Sequence, residues 1–501
     1  MAKKIHKTKK TPLFKNVGFY FVLLYALLTL GMIVQVFTVN VIPMKYAMIV
    51  CVILLLLLLG MYYLQLGKKV NKVNKVLGKI LIIILAVFLG VGNWYLFKTG
   101  SAFSRMTGDD TQTSVISVVV MKESKAESIE DLKNSKFGLT KTGSQDTMEK
   151  GLADIKKDAG QDITTVDYKS YKTIADDLYD GKIDAIIMDE ATRSLFEDNH
   201  SKFDSETRIV KSYKYKTSTK DISKNVDVTS EPFNVYITGI DTYGTISTVS
   251  RSDVNMIATV NPKTHQVLLT SIPRDYYVPQ PCQGGQTDKL THTGIFGVDC
   301  TVETVENYFG IDINYYVRVN FSSVENIVDA LGGINVDSPI AFNALGYSFS
   351  AGTNSLNGKE ALAFSRERYS LGGGDRDRGK NQMRVITGII NKAISPSIIT
   401  NYTSILDAVS GSFQTNMSNS EMTSLIKMQI NDMSGWDIEQ ISVNGTGNAS
   451  AWSPANGFNS WVMEPNVNTV KRAVEVIKKV ENGEDVKALA QQVMEENTAD
   501  E

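Results

Sequence analysis

Residues 233–272, FNVYITGIDTYGTISTVSRSDVNMIATVNPKTHQVLLTSI, decide the fold of the larger part of the chain. Three apolar runs of strand length lie in this stretch, at residues 233–240, 254–260 and 266–272. Downstream, helical patterns alternate with one further strand, at residues 302–309, 323–331, 334–336 and from Gly358 and Gly379. This mixture predicts an α/β domain in which helices cover a mixed sheet.

Charged residues stand where the predicted strands begin or end. They are Asp241 after the first strand, Arg251 and Asp253 before the second, and Arg274 and Asp275 after the third. Strand ends project side chains into loops, where a rigid sheet commonly carries its binding and catalytic groups. A single Asp at such a place is more often a turn residue or a helix cap. Five charges at three strand ends favour a functional site.

The densest charge lies in residues 364–384, FSRERYSLGGGDRDRGKNQMR. Its basic residues are Arg366, Arg368, Arg376, Arg378, Lys380 and Arg384. Arginine presents a planar fork that matches phosphate oxygens, so the cluster predicts a polyphosphate-binding segment. The alternative is a set of surface salt bridges with Glu367, Asp375 and Asp377.

Carboxylates and arginines together suit a magnesium pyrophosphate. Arginine balances phosphate charge, and Mg²⁺ is commonly held by one or two protein carboxylates, for which Asp241 and Asp253 are the candidates. Mn²⁺ is an alternative ion. Nucleic acid is not expected as a partner, because the chain after residue 100 is acidic overall. The sequence also lacks the GxxxxGK[ST] motif of many nucleotide-dependent enzymes.

The first hundred residues contain 13 Lys and no Arg, Asp or Glu. Three uncharged apolar stretches lie among them, at residues 17–39, 46–66 and 80–97, and their lengths suffice to cross a bilayer. Lysines concentrate before the first stretch and between the second and third, whereas the first loop has only Lys45. The positive-inside rule therefore predicts a cell-membrane protein with three spans, a cytoplasmic N-terminus and extracellular C-terminal domains.

These patterns predict five segments along the chain. They are the N-terminal spans at 1–98, a linker at 99–114, a small α/β accessory domain at 115–225, the main α/β domain at 230–480, and an acidic, disordered tail at 481–501. Cys282 and Cys300 are the two cysteines of the outer part. They either form a disulfide or remain two unpaired thiols.

The motifs of the main domain resemble those of the LytR-CpsA-Psr family of cell-envelope glycopolymer transferases. The matching pieces are GID 239–241, RSD 251–253, SIPRD 271–275, DKLTH 288–292, DALGGINV 329–336 and EALAFSRER 360–368, with Asp375, Arg378 and Gln382. The three apolar stretches and the additional α/β domain are similar to the capsule-linked branch of that family.

The resemblance implies a role for each matching residue. Asp241 and Asp253 would hold Mg²⁺ on the pyrophosphate of a polyprenyl lipid, whose tail would occupy an apolar tunnel beneath the sheet. The phosphates would be bound by Arg251, Arg274, Arg366, Arg368, Arg378 and Gln382. Asp375 would belong to the same site, and Arg384 or Lys380 would replace an arginine that many members have where this chain has Asn381.

The resemblance also implies a reaction. It is the Mg²⁺-dependent transfer of a polyprenyl-pyrophosphate-linked glycopolymer, capsular polysaccharide or similar, onto peptidoglycan through a phosphodiester. The candidate catalytic residues are Asp253, Arg274, Asp275 and Asp375, and the proton acceptor is Asp253, Asp275 or no protein group. A hydrolase of the pyrophosphate and a non-catalytic sensor of the lipid-linked glycan are the alternatives. Arg318 is expected to be a surface residue outside the site.

Overall fold

The computed structural model describes residues 14, 16–107, 111–140, 145–240, 246–395, 405, 408 and 410–499, without the side chains of residues 103–107, 498 and 499. Within these limits the chain forms two compact units. One consists of Met1–Ser104 with Asn419–Met433, and the other consists of Arg105–Ser418 with Ser434–Glu501.

The first unit is built on three long apolar helices, α1 (Val17–Val39), α2 (Met44–Leu66) and α3 (Lys72–Thr107). Their length and composition suit membrane spans at Val17–Val39, Met44–Leu66 and Lys72–Ala102, which confirms the three predicted apolar segments. A further helix, Asn419–Asp432, belongs to the same unit. The three apolar helices α1, α2 and α3 suit a membrane anchor.

The predicted linker at residues 99–114 is wrong, since α3 continues through Thr107 and a strand begins at Thr111. The small polar residues that indicated a linker are accommodated inside the helix. The hydroxyls of Thr99 and Ser101 donate hydrogen bonds to backbone carbonyls in the preceding turn, so these side chains satisfy their polar groups without leaving the helix.

The second unit contains two main sheets, of which the smaller comes first along the chain. Its strands and helices are β1 (Thr111–Met121), β2 (Lys136–Thr140), α4 (Gln145–Ala159), β3 (Thr164–Tyr168), α5 (Tyr171–Tyr179), β4 (Ala185–Asp189), α6 (Arg193–Glu197), α7 (Phe203–Glu206) and β5 (Thr207–Ser218). The strand order is β3-β2-β4-β1-β5, and β1 runs antiparallel to both neighbours. The division into domains at 115–225 and 230–480 stays a prediction, because both sheets belong to one compact unit.

The larger sheet has six strands and carries the predicted site. They are β6 (Phe233–Ile240), β7 (Val254–Asn261), β8 (Gln266–Ser271), β11 (Tyr315–Asn320), β16 (Phe413–Thr415) and β17 (Asp437–Ser442). The order is β16-β11-β6-β7-β8-β17, with β6 parallel to β11 and antiparallel to β7. The predicted mixed sheet is therefore confirmed.

Short hairpins and paired strands surround the larger sheet. They are β9 (Tyr277–Gln280) with β10 (Gln286–Lys289), β12 (Ile334–Ser338) with β15 (Gly352–Leu356), β13 (Phe342–Ala344) with β14 (Tyr347–Phe349), and β18 (Gly445–Ser453) with β19 (Phe458–Pro465).

Helices cover both faces of the larger sheet, as expected for strands that are apolar on both sides. They are α8 (Val298–Phe309), α9 (Phe321–Ala330), α10 (Gly358–Arg366), α11 (Asp375–Ala393), α12 (Val467–Glu481) and α13 (Lys487–Ala499). One core joins Tyr236, Ile257 and Leu268 of the sheet to α8, α12 and α13. On the opposite face, Met256 and other strand residues pack against α11.

The predicted disordered tail at residues 481–501 is wrong for most of its length. Helix α13 occupies Lys487–Ala499, and Val486, Ala490 and Val493 are buried in the core below the larger sheet. Their spacing places them on one face of a helix, so the segment is amphipathic. Its acidic composition reflects only the solvent-facing side.

Cys282 and Cys300 form a disulfide with a Cα–Cα distance of 5.4 Å, which decides between the two alternatives left by the sequence. The bond ties the loop after β9 to the first turns of α8. It closes a loop that contains the DKLTH motif at residues 288–292.

Candidate functional site

The predicted site residues of the larger sheet meet at one edge. β7 begins after Asp253 and its antiparallel neighbour β8 ends before Arg274, so both residues stand at the same edge. Helix α11 begins at Asp375 and packs closely here, because a Cβ on Gly379 would come 2.6 Å from Ser271 Oγ. The fold thus joins the strand-end charges to the arginine-rich segment.

Asp253 and Arg274 form the central ion pair of this edge. Arg274 Nη1 donates to Asp253 Oδ1 at 2.6 Å, and Thr291 Oγ1 donates to the same oxygen at 3.2 Å. Arg274 Nε also lies 3.6 Å from Oδ2 of Asp275, whose other oxygen is 3.3 Å from Lys289 Nζ. Each carboxylate at this edge therefore faces at least one cation.

The positive surroundings keep Asp253 ionised. Burial by itself raises the pKa of Asp253, but the charges of Arg274, Arg251 and Arg378 outweigh burial and hold that pKa below its ordinary value. A carboxylate in this state is a good ligand for a cation and a weak acceptor for a proton.

The first turns of α11 supply the second ion pair. Arg378 Nη2 lies 2.6 Å from Asp375 Oδ1, one turn away on the helix. Burial lowers the pKa of Arg378, and Asp375 partly offsets this effect. Arginine nevertheless stays charged, because its ordinary pKa is far above neutral. Asp253, Arg274, Asp375, Arg378 and Gln382 line one common cleft.

An apolar cavity of about 480 Å³ adjoins this cleft. It lies between the larger sheet and helices α9, α10 and α11, and its apolar lining includes Ile237, Val317, Val319, Val324, Ile327, Leu362, Val385, Ile386 and Ile389. Asp253, Arg274, Arg378 and Gln382 line both the cleft and the cavity. The site therefore has a charged head and an apolar body, which is the shape of an amphiphile.

Arg366 is the last residue of α10, Arg368 follows the helix, and both line the cavity. The guanidinium of Arg366 lies 4.1 Å from the centroid of the Phe321 ring, which restricts its orientation. Oε1 of Glu367 accepts the backbone N–H groups of Tyr369 and Ser370. The salt-bridge alternative holds for Asp375 with Arg378 and for Asp377 with Lys380.

Arg251 reaches the site from a different side. It is buried, and its Nη2 lies 3.1 Å from Oδ2 of Asp198, which follows α6 next to the smaller sheet. The adjacent Glu197 has a pKa of about 7, because burial and a hydrogen bond with Asp204 raise it. Arg251 influences Asp253 through its charge, but it lines neither the cleft nor the apolar cavity.

A family model described as the LytR_cpsA_psr family matches residues 194–475, more than half of the chain. The chain belongs to the LytR-CpsA-Psr family. Among its relatives, a protein of Enterococcus faecalis named polyisoprenyl-teichoic acid–peptidoglycan teichoic acid transferase TagU is 40% identical over 238 residues, which are 46% of this chain and 77% of the relative. The Bacillus subtilis protein of the same name is 41% identical over 205 residues, 41% of this chain and 65% of the relative.

Solved structures of related proteins were also found. The crystal structure of B. subtilis TagU is 34% identical, with a TM-score of 0.39, and the match covers 50% of this chain and 96% of that chain. The structure of TagT bound to LIIa-WTA is 28% identical, with a TM-score of 0.42, covering 52% and 94%. A second family model, described as DNA polymerase processivity factor, matches residues 68–188. That match includes the apolar helix Lys72–Ala102 and less than half of the chain, so it does not establish membership.

The donor set of this LytR-CpsA-Psr site fits a magnesium ion bound to phosphates. Asp253, Asp375 and Gln382 bring oxygen ligands to the cleft, and Mg²⁺ needs only one or two carboxylates when phosphate oxygens and water complete its shell. Asp241, the other predicted ligand, lies outside the described residues. Its part in the site remains a prediction.

Arg384, Lys380 and Arg318 have contacts that differ from those of the arginines in the cleft. Arg384 donates to Oδ1 of Asn381 at 2.7 Å and lines neither the cleft nor the cavity, and its role in phosphate binding stays a prediction. Lys380 likewise lies 3.3 Å from Asp377. Arg318 is not a surface residue, because it is only 2% exposed. Burial lowers the pKa of Arg318 to about 10.

Several supporting residues were missed by the sequence reasoning. Thr291 and Lys289 contact the site carboxylates, and both belong to the DKLTH motif. His292 of this motif is fully buried, with Nδ1 3.1 Å from Asp288 Oδ1. Asp288 also accepts from Ser453 Oγ at 2.7 Å. The DKLTH motif could have indicated the roles of Thr291 and Lys289. Asp198 lies far from the other site residues in sequence, and no pattern around it indicated a contact with Arg251.

Proposed function

We propose that this chain is a membrane-anchored transferase that moves a glycopolymer from a polyprenyl pyrophosphate lipid onto peptidoglycan, with Mg²⁺. The observation that carries the proposal is the junction of the charged cleft with the apolar cavity of about 480 Å³. Family membership and the names of the relatives support the transferase class. The relatives are named for teichoic acid, and the polymer used here is either that or a capsular polysaccharide.

The residues of the cleft suit the pyrophosphate head of the lipid. Arg274 and Arg378 carry positive charge into a largely buried space, where charge-assisted hydrogen bonds to phosphate are strong. Gln382 adds a neutral donor on the next turn of α11. Arg366 and Arg368 stand at the wall of the apolar cavity and would contact the phosphate that carries the polyprenyl chain.

The reaction is a displacement at phosphorus. A sugar hydroxyl of peptidoglycan attacks the phosphate next to the glycopolymer, a new P–O bond forms, and the P–O bond to the polyprenyl phosphate breaks. The polyprenyl phosphate leaves with the bonding electron pair, and the arginines offset its charge. The product is a phosphodiester, and no ATP is consumed because the pyrophosphate is already activated.

Asp253 is better suited to binding cations than to accepting the hydroxyl proton. Its pKa is held below the ordinary value, so it is a weak base. When bound, Mg²⁺ would supply positive charge to the phosphate oxygens. Asp275 is held by Arg274 and Lys289 and would serve to orient them. The proton then passes to water or to Asp375, which also lines the cleft.

The proposed location of this site is outside the cell membrane, with the N-terminus in the cytoplasm. Lysine distribution around the three apolar helices supports this orientation. Cysteines introduced singly at Asp162 and Lys69 should differ in intact cells, with only Asp162→Cys labelled by a membrane-impermeant thiol reagent. Labelling at Lys69→Cys alone would reverse the orientation.

The deciding experiment supplies a lipid-pyrophosphate-linked saccharide, Mg²⁺ and soluble peptidoglycan fragments to the full-length protein, and detects a phosphodiester-linked product by mass spectrometry. Arg378→Ala should weaken binding of the lipid by about 1.5–3 kcal/mol, the contribution of a charge-assisted hydrogen bond. Arg472→Ala is the matched control, because Arg472 pairs with Glu475 on the surface of α12.

The same experiment separates the alternatives. Release of free saccharide phosphate in the presence of acceptor would favour a pyrophosphate hydrolase. Binding of the lipid without turnover would favour a sensor of lipid-linked glycans.

A further inference from the structure

The hairpin of β18 and β19 exposes two tryptophans on one face. Trp452 is 54% exposed and Trp461 is 44% exposed. Trp452 lies directly opposite Asn459, and Trp461 is two residues further along the same strand, so both indoles project from the same side of the hairpin. Exposed indoles at adjacent positions form a platform that is large, rigid and apolar.

Trp461 packs closely against Gly447 of the opposite strand. A Cβ on Gly447 would come 3.2 Å from both Cζ2 and Nε1 of Trp461, closer than most contacts of this kind. The missing side chain thus makes room for the indole. An aromatic ring fixed in this way loses little entropy when a ligand covers it.

The hairpin is attached to the candidate site at one end and to the DKLTH motif at the other. The Met463 N–H donates to the Asp275 carbonyl at 2.8 Å, immediately after Arg274. Near the turn, the Ala455 N–H donates to Asp288 Oδ2 at 2.9 Å. The platform is therefore anchored to the segments that carry Arg274 and support Asp253.

The residues of the hairpin itself are mostly neutral and include no basic group. Residues 445–465, GTGNASAWSPANGFNSWVMEP, contain no Lys or Arg and a single Glu. The amide of Asn459 donates to Ser450 Oγ at 3.2 Å, and the amide of Asn448 donates to Glu464 Oε1 at 2.7 Å. A surface that binds an anionic membrane normally carries Lys or Arg beside its aromatic residues, so this composition disfavours a lipid surface.

We infer that the face formed by Trp452 and Trp461 binds the glycan strand of the acceptor, an uncharged polysaccharide of amino sugars. The C–H groups on one side of a pyranose ring form an apolar surface that stacks on the electron-rich face of an indole, while neighbouring amides and hydroxyls bond its polar edge. This inference rests on the proposed transferase function. The platform would hold the acceptor beside the cleft that binds the donor pyrophosphate.

The binding test uses full-length protein in detergent micelles and an N-acetylglucosamine hexasaccharide, titrated by isothermal calorimetry. The double variant Trp452→Ala with Trp461→Ala should bind the hexasaccharide at least tenfold more weakly. The double variant with phenylalanine at both positions should retain most of the affinity, since a ring remains. Trp436→Phe, at a tryptophan packed edge-on against His265, is the control and should bind like the wild type.

Equal affinity of the wild type and the alanine double variant would overturn the inference. A membrane is the other occupant to be tested, and brominated lipids in nanodiscs would then quench wild-type fluorescence more than that of the double variant. Such quenching, without hexasaccharide binding, would also overturn it. A thermal melt should show that both proteins are folded, with at most a small fall in Tm for the double variant, because about half of each indole is already exposed.

The transfer assay distinguishes failure of this inference from failure of the proposed function. The alanine double variant should raise KM for peptidoglycan fragments at least tenfold and leave KM for the lipid donor unchanged. If the wild type transfers and the variant has an unchanged acceptor KM, only the platform is rejected. If the wild type does not transfer at all, hexasaccharide binding still decides whether the platform binds glycans.

Discussion

Replacing Asp253 by asparagine removes one negative charge from a site that contains several arginines. Arg274 then loses its 2.6 Å ion pair and keeps only the longer contact to Asp275 at 3.6 Å. Removing one partner of a buried ion pair costs about 3–5 kcal/mol. Because Arg274 keeps its contact to Asp275, the expected loss of unfolding free energy is at the lower end of this range, about 3 kcal/mol. The amide can still accept the hydrogen bond from Thr291, so the fold should survive.

The same substitution should have opposite effects on the binding of pyrophosphate without Mg²⁺ and with Mg²⁺. Without metal, the negative charge of Asp253 repels the phosphate oxygens, so Asp253→Asn should bind pyrophosphate more tightly, by about tenfold for each 1.4 kcal/mol of repulsion that is removed. Mg²⁺ should increase the affinity of the wild type for pyrophosphate, and Asp253→Asn should abolish this increase. Turnover should fall by about 100-fold or more, as for the loss of other electrostatic groups in active sites.

Calorimetric titration of the full-length protein with inorganic pyrophosphate, with and without Mg²⁺, measures both effects. Asp162→Asn is the control, because Asp162 is an exposed residue paired with Lys156 on the surface. If Asp253→Asn keeps the Mg²⁺-dependent gain in affinity and turns over within tenfold of the wild type, Asp253 is not a metal ligand and the reasoning fails.

Three further predictions concern stability. Replacing Cys282 and Cys300 together by serine should lower the free energy of unfolding by about 3 kcal/mol in the chain-entropy model, and unchanged urea midpoints would contradict this. The pKa of Glu197 is raised to about 7 in the folded protein, whereas that of a Glu in the unfolded chain is about 4.3. Between these two pH values the folded protein binds more protons than the unfolded chain, so the contribution of Glu197 to the free energy of unfolding falls as pH rises through this window. Glu197→Gln should therefore stabilise the protein at pH 8 by about 1 kcal/mol after screening, and a stability difference that is flat from pH 5 to pH 8 would refute it. Arg318 Nη2 donates to the Thr248 carbonyl at 2.6 Å, so Arg318→Met removes a buried charge but also leaves this carbonyl without its donor. The two effects oppose each other, and the free energy of unfolding should change by less than about 2 kcal/mol. A loss above about 3 kcal/mol in thermal or urea unfolding would contradict this balance.

The contact between Asp198 and Arg251 gives the smaller sheet and its helices a physical link to the site. Arg251 lowers the pKa of Asp253 through its positive charge, and Asp198 holds Arg251 at 3.1 Å. A substitution in the segment after α6 therefore changes the electrostatics of the site without touching the cleft.

Much of the fold follows from local patterns in the sequence. Three of the six strands of the larger sheet, β6, β7 and β8, and the three apolar helices of the first unit were predicted, because period and hydropathy report burial directly, whereas β11, β16 and β17 were not predicted. The strand-end positions of Asp253 and Arg274 also indicated a functional site, and the structure pairs these two residues at 2.6 Å. The tail of the chain shows the limit of composition, since the buried face of α13 was hidden among acidic residues.

Tertiary structure decided which of the charged residues belong together. As residue types, Arg384 and Arg318 do not differ from the arginines of the cleft. In the structure, Arg384 donates to Asn381, and Arg318 is buried within the larger sheet. The same holds for the hairpin tryptophans, whose shared face depends on the register of β18 against β19. Hydropathy and charge are properties of single residues and short windows, whereas these contacts join residues distant in sequence and form only when the sheet and its helices pack.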